Sequence, residues 1–191
     1  MDLSSMTIDN TDLTGQHGIL NNHEYVVVKC GEKNIKWATK NIGATALTGT
    51  DSYGEVFSWG DIAKKDNYGK TYYTNPAKSL PSNITPDSGN DVARAKWGGT
   101  WRMPTTGNEG EFKALKEATY WQWDTTDEGY YVYVPQTGDA GKKNSESSNT
   151  YNKSDALLFF PAAGYFTGTS RSNGGSFGYY WSSTWYSSDY A

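Results

Sequence analysis

Cysteine is almost missing from this 191-residue chain, where Cys30 stands alone. One thiol builds no intramolecular disulfide and no multi-cysteine metal site. Histidine is nearly as scarce, with His17 and His23 both close to the amino terminus. Leu, Ile, Val and Phe together number only 27, and no apolar run approaches the roughly 20 residues that cross a bilayer as a helix. No membrane insertion is therefore expected. A dominant charge is lacking too: 17 Lys and Arg face 21 Asp and Glu, a formal net charge of −4. That leaves no basic footprint for nucleic acid. Residues 1–18 carry neither a positive n-region nor an apolar h-region, so no signal peptide is expected within this chain.

What is present changes the meaning of these gaps. A chain this poor in branched side chains would be a candidate for disorder if it were highly charged and short of rings. Instead it has 8 Trp, 15 Tyr and 6 Phe, with 21 Gly between them. The length suits one domain with a single sizeable core. That core is predicted to be filled by aromatic rings in a loop-rich, glycine-punctuated fold.

Residues 1–22 are polar with single scattered apolar positions and read as a flexible lead-in, or as a segment that pairs elsewhere; the domain is expected to run from 23 to 191. Residues 25–28 (Tyr-Val-Val-Val), the turn residues 31–34 and the alternating Ile35-Lys36-Trp37-Ala38 predict a β-hairpin with Ile35 and Trp37 on its buried face. Val56-Phe57-Ser58-Trp59 is a short apolar piece stopped by Gly60. Residues 64–89 read as a long polar loop. Asp91 caps a predicted short helix closed by Gly98-Gly99. Thr106 with Glu109, or Asn108 with Glu111, has capping-box spacing. Phe112, Leu115 and Ala118 then recur on one face, which predicts the main amphipathic helix over 108–118. Trp121 and Trp123 alternate as in a strand, residues 130–134 predict another, and 138–152 form a polar loop. Leu157-Leu158-Phe159-Phe160, stopped by Pro161, reads as a central strand buried on both faces. No fixed-period repeat occurs.

Catalytic and metal chemistry find little to work with. A nucleophilic triad needs a His beside Ser or Cys, and His17 and His23 read as two solvated side chains. No spacing of His, Cys and carboxylates suits zinc. Asp124, Asp127, Glu128 and Asp139 are the acids available for glycoside cleavage, but all lie in turn-like sequence where acids serve geometry. Asp87, Ser88, Asn90 and Asp91 could offer oxygen ligands to an ion, against a helix cap and turn as the simpler reading. No cofactor, no metal and no catalytic set is expected.

Five strings fall in one order: residues 36–44 (KWATKNIGA), 54–60 (GEVFSWG), 97–105 (WGGTWRMPT), 158–165 (LFFPAAGY) and 178–184 (GYYWSST). Taken together they resemble the Fibrobacter succinogenes major paralogous domain family, found in secreted and surface proteins of gut Bacteroidetes and their phages. The resemblance covers residue 24 onward. It implies an α+β, C-type-lectin-like fold: a twisted, mostly antiparallel sheet with one main helix and long loops. The Arg102-Met103-Pro104-Thr105 segment is similar to an element of formylglycine-generating enzymes, and the variable proteins of diversity-generating retroelements share the architecture. Three departures stand out. Gly107-Asn108 lengthen the approach to the helix; Cys30 lacks the second cysteine that oxidase chemistry needs; and family members continue past the position of Ala191 through strands that close the sheet, so that either this chain is cut short, or its end is unusual, or the closing strands come from elsewhere. The strings that calcium-dependent lectins use, Glu-Pro-Asn or Gln-Pro-Asp with Trp-Asn-Asp, are absent.

Within those strings Trp37, Trp59, Trp97, Trp101 and Trp181 read as core, as do Phe159 and Phe160, and Arg102 as a structural clamp on loop carbonyls or a carboxylate. In the variable proteins, positions around and after Trp-Ser-Ser carry the ligand-binding surface. The candidates here are Arg171, Ser172, Asn173, Phe177, Tyr179, Trp185, Tyr186, Ser188, Asp189 and Tyr190. Tyr and Trp with short polar neighbours is a paratope-like composition, since rings give contact area at little rotamer cost. The expectation is a non-enzymatic recognition protein whose partner is a protein or glycan on a cell surface, in an extracellular, surface or virion setting. The oligomeric state is not read from these residues. A phage tail-tip receptor binder or structural subunit is the alternative, and a formylglycine-generating-type enzyme a more distant one.

Overall fold

The computed structural model describes residues 11–64, 80, 82–167 and 170–184. Among them the chain is α+β, with mostly antiparallel strands and two short α-helices. No helix there is long and apolar enough to cross a membrane.

The first sheet has the order β1 (His17–Leu20), β2 (His23–Cys30), β3 (Lys33–Ala38), antiparallel throughout. Both turns follow from residue type. Asn21 and Asn22 take φ of 48° and 67°, the left-handed pair that a two-residue hairpin needs to match strand twist. Gly31 supplies the positive φ in the second turn. Of the two readings that the sequence allows for residues 17–20, lead-in or a segment that pairs elsewhere, the structure takes the second: His17 lies opposite Val26 and Leu20 opposite His23, so the sheet begins before residue 23. The predicted hairpin of β2 and β3 is present, and Ile35 and Trp37 share a face with Val26 and Val28.

That face meets α2 (Glu111–Ala118) and the second sheet, β4 (Tyr120–Asp124), β5 (Gly129–Tyr133) and β6 (Leu158–Pro161) in that order. Val26, Val28, Trp37, Leu115, Val132 and Leu158 form one buried cluster, with Phe112, Ala118, Trp121 and Phe160 packed on it. Cys30 belongs to this cluster, and burial pushes its thiol up to about 11. A thiol at that value is protonated near neutral pH and packs as a small apolar group. The opposite face of the second sheet carries a tyrosine cluster of Tyr120, Tyr131 and Tyr133, onto which Tyr151 stacks 4.2 Å from Tyr120.

Two elements differ from the sequence reading. The helix starts at Glu111 rather than at 108, because Gly107 takes φ 99° and Gly110 lies against the Thr106 backbone where a Cβ would sit 2.4 Å away. Neither predicted capping box forms. In their place Thr105 Oγ1 accepts from the Glu111 N–H (3.0 Å) and the Glu111 carboxylate accepts from the Thr105 N–H (3.1 Å), the same reciprocal device drawn over a longer loop. Second, β6 pairs with β5 alone among the described residues, so it is an edge rather than a central strand, and Phe159 and Phe160 are half-buried. The Ala162 N–H bonds Glu128 O, which turns the neighbouring Pro161 nitrogen away from β5, the one orientation in which a strand proline removes no ladder bond.

A separate core lies outside the sheets. Phe57, Trp59, Ile84, Val92 and Met103 cluster there beneath irregular segments and α1 (Val92–Trp97). Asp91 caps α1 as predicted, accepting from the Arg94 N–H, and its second oxygen accepts from the Met103 N–H at 2.9 Å. Most of the predicted loop 64–89 lies outside the described residues.

Candidate functional site

The carboxy-terminal segment is anchored before it is displayed. The Trp59 indole donates to Ser182 O and the Trp181 indole donates to Phe57 O, both at 2.8 Å. Between these ties the Ile84 N–H bonds Ser183 O, and the Ser183 N–H bonds Pro104 O. The Trp-Ser-Ser string is thus stitched to three other segments by its backbone. Trp59 is buried, as are Trp37 and Trp101, and Trp97 is partly so. Trp181 was expected in the core; with its N–H tied to Phe57, its ring lies on the surface, 41 % exposed.

Upstream of it, β7 (Tyr165–Thr167) and β8 (Ser170–Ser172) form an antiparallel ribbon with Tyr165 opposite Ser172 and Phe166 opposite Arg171. Gly164 pairs in parallel with Gly178, and its N–H bonds Phe177 O at 2.8 Å. Residues 177–180 therefore run beside β7. A Cβ on Gly164 would lie 2.2 Å from Ser172 O, and its φ is 66°, so only glycine fits this junction. Asn173, at φ 57°, turns the chain, its carbonyl accepting from the N–H groups of Ser176 and Phe177.

Because side chains alternate across strands, this arrangement divides the candidates between two faces. On the outer face stand Tyr165, whose ring meets Tyr179 edge-on at 4.9 Å, with Ser172 paired across from it. Phe177, Tyr179 and Trp181 project outward at every second position; Phe177 is 59 % and Tyr179 55 % exposed. The Asn173 amide donates to the Tyr179 hydroxyl at 3.2 Å, which orients that ring. On the other face lie Phe166, Arg171 and Tyr180. The Arg171 guanidinium sits 4.6 Å from the Tyr53 ring centroid and 4.7 Å from that of Phe166, and donates to Ala163 O. Tyr180 meets Phe160 edge-on, its hydroxyl bonding Pro161 O. Arg171 therefore fastens the ribbon to the 50–54 turn while Ser172, Phe177 and Tyr179 look out. Trp185, Tyr186, Ser188, Asp189 and Tyr190 lie outside the described residues.

The other constellations are structural in their geometry. Arg102 grips both oxygens of Glu111 and also donates to Met103 O, the clamp expected of it. Burial works against the Glu111 carboxylate, yet Arg102 and Thr105 outweigh it and hold its pKa below the usual value. Lys153 Nζ lies 2.8 Å from Asp124 and 2.6 Å from Asp127. Burial opposes ionisation of Asp124, but hydrogen bonding to Lys153 prevails; Asp127 is lowered by its bonds from Lys153 and Tyr131. Both acids are thus held ionised, whereas a proton donor for glycoside cleavage needs a raised pKa. Asp139, one of the acids in turn-like sequence, is buried and accepts from Ser147, Asn149 and Tyr151. Those bonds, Ser147 first, hold it at about 2. It is the hub of the 138–152 loop; the signal available beforehand was a lone acid followed by Ser, Asn and Tyr within twelve residues. Of the proposed oxygen-ligand set, Asp91 spends both oxygens on backbone N–H groups, Ser88 bonds Thr85 O and Asn90 bonds Gly60 O. Among the described residues no group of three His, Cys, Asp or Glu converges as a metal site.

No family model, curated protein or solved structure matches this chain.

Proposed function

We propose that this protein is a non-enzymatic recognition module of C-type-lectin-like architecture. It would hold a protein or glycan of a cell surface on the outer face of its carboxy-terminal ribbon, by shape and ring contact with no covalent step. The setting that goes with this reading is extracellular, on a bacterial surface or a virion. The variable positions of retroelement-diversified proteins are the analogy for a surface at this end of the chain.

One observation carries the reading. Phe177 and Tyr179 are more than half exposed on a segment whose backbone is tied at both ends. Large rings left in water on an ordered frame are a recurring mark of an interaction site. The α+β composition and the five ordered strings support the fold assignment, and the ionised, paired acids fit a protein that moves no proton. A cell-adhesion assay on the intact chain tests the proposal. Tyr179→Ala and Phe177→Ala are expected to lose adhesion while unfolding at the wild-type temperature. Unchanged adhesion in both variants would overturn it.

A further inference from the structure

Between Asp155 and Asp189 the chain holds one charged residue, Arg171, in a protein with 38 charges overall. The ribbon places that single charge on the face opposite Tyr165 and Ser172, where the exposed guanidinium lies over Tyr53 and Phe166. The described residues of 165–181 that stand on the outer face are uncharged: Tyr165, Phe177, Tyr179 and Trp181 supply rings, and Ser172 and Asn173 supply short polar groups, with the Glu128 carboxylate beside Gly175 at the turn. Resting on the recognition reading above, we infer that the outer face takes a neutral saccharide, bound without calcium.

The chemistry argues for that ligand over others. The C–H faces of a pyranose ring carry partial positive charge, which suits the negative face of an aromatic quadrupole. Sugar hydroxyls both donate and accept, as do the Ser172 hydroxyl and Asn173 amide that flank the rings. A phosphorylated or sulfated ligand would call for clustered Lys and Arg, because charge neutralisation drives such binding. An acidic sugar would call for a guanidinium fork among the rings, and Arg171 lies on the opposite face of the ribbon, over Tyr53 and Phe166. A protein partner of standard size covers about 800 Å² per side with Arg enriched beside the rings and charged residues at the rim. This face has the rings without those charges. The acidic net balance elsewhere on the chain further disfavours anionic partners at low salt.

The test is an array of neutral oligosaccharides of gluco, galacto, manno and fuco configuration beside sialylated, uronylated and sulfated ones, probed with the intact chain. The best neutral ligand is then titrated in solution. Binding is expected to a neutral oligosaccharide, to change less than about twofold between low and high salt as uncharged contacts should, and to survive EDTA. Tyr179→Ala should weaken it by about tenfold or more, about 1.4 kcal/mol, as expected when an aromatic anchor of a binding face is truncated. Preference for acidic glycans, a steep salt dependence or loss in EDTA would each overturn the neutral-ligand inference. If no saccharide binds while cell adhesion still requires Tyr179, the partner is a protein: the inference falls and the recognition reading stands. If adhesion ignores Tyr179 and Phe177, both fall together.

Discussion

Tyr120, Tyr131 and Tyr133 in the second sheet are between 2 and 9 % exposed, whereas Tyr165 and Tyr179 at the carboxy-terminal ribbon are 42 and 55 % exposed. The residue type is the same and the backbone is extended in both places. What separates them is the second layer. The tyrosines of β4 and β5 are roofed by Tyr151 and the 138–152 loop, itself drawn in by Asp139. The outer face of the ribbon has no such roof among the described residues. In a chain with few aliphatic side chains the ring serves as interior filler and as display surface. Which role it takes is decided by whether a polar anchor pulls a loop across it.

This contrast predicts unequal costs. The largest belongs to Leu115→Ala at the fully buried centre of the main cluster, expected to lose about 2–5 kcal/mol in denaturant unfolding. Asp91→Ala comes next: removing both oxygens strands the Arg94 and Met103 N–H groups, at about 1–3 kcal/mol. Gly164→Ala probes the frame of the display surface. Its strained φ and the clash with Ser172 O should cost a comparable 1–3 kcal/mol, roughly, and abolish adhesion, while near-ultraviolet circular dichroism of the tyrosine cluster stays native. An equal loss of both signals would show that the two regions unfold as one.

Asp139 sharpens the comparison through pH. Its folded pKa of about 2 lies below the ordinary 3.8, so the native state favours the carboxylate. The stability it lends is fully present above pH 3.8 and is lost as pH falls from 3.8 toward 2. Wild type should release its tyrosine cluster across that window, and Asp139→Asn should show a shallower acid transition starting from a lower baseline. Smallest of all, Phe177→Ala should shift stability by less than about 0.5 kcal/mol even though the side chain is large, since thermal unfolding does not sense a ring already in water.

Local chemistry made part of this legible in advance. The β2–β3 hairpin, the Asp91 cap, the Phe112-Leu115-Ala118 stripe, the Arg102 clamp and the strands β4 and β5 all depend on neighbours no more than 13 residues away. The signals that failed were long-range. His17–Leu20 is a four-residue strand with no pattern of its own, recognisable only by its partner β2 and by the Asn21-Asn22 turn. Leu157–Phe160 has the composition of a central strand, but pairing on one side is a property of the sheet. Trp181 has the composition of core, yet its surface position depends on Phe57 O, 124 residues away. Composition indicated where the candidate rings cluster; the split that sets Arg171 and Tyr179 on opposite faces needed the register of β7 and β8.

The paired indole ties, Trp59 to Ser182 and Trp181 to Phe57, have a consequence for how the chain is made. Both links join points more than 120 residues apart in sequence, and closing so long a loop is entropically slow compared with forming a hairpin. During synthesis the sheets and α2 can assemble as they emerge. The core around Phe57, Ile84 and Met103 must wait with one wall open until residues 181–183 arrive to close it.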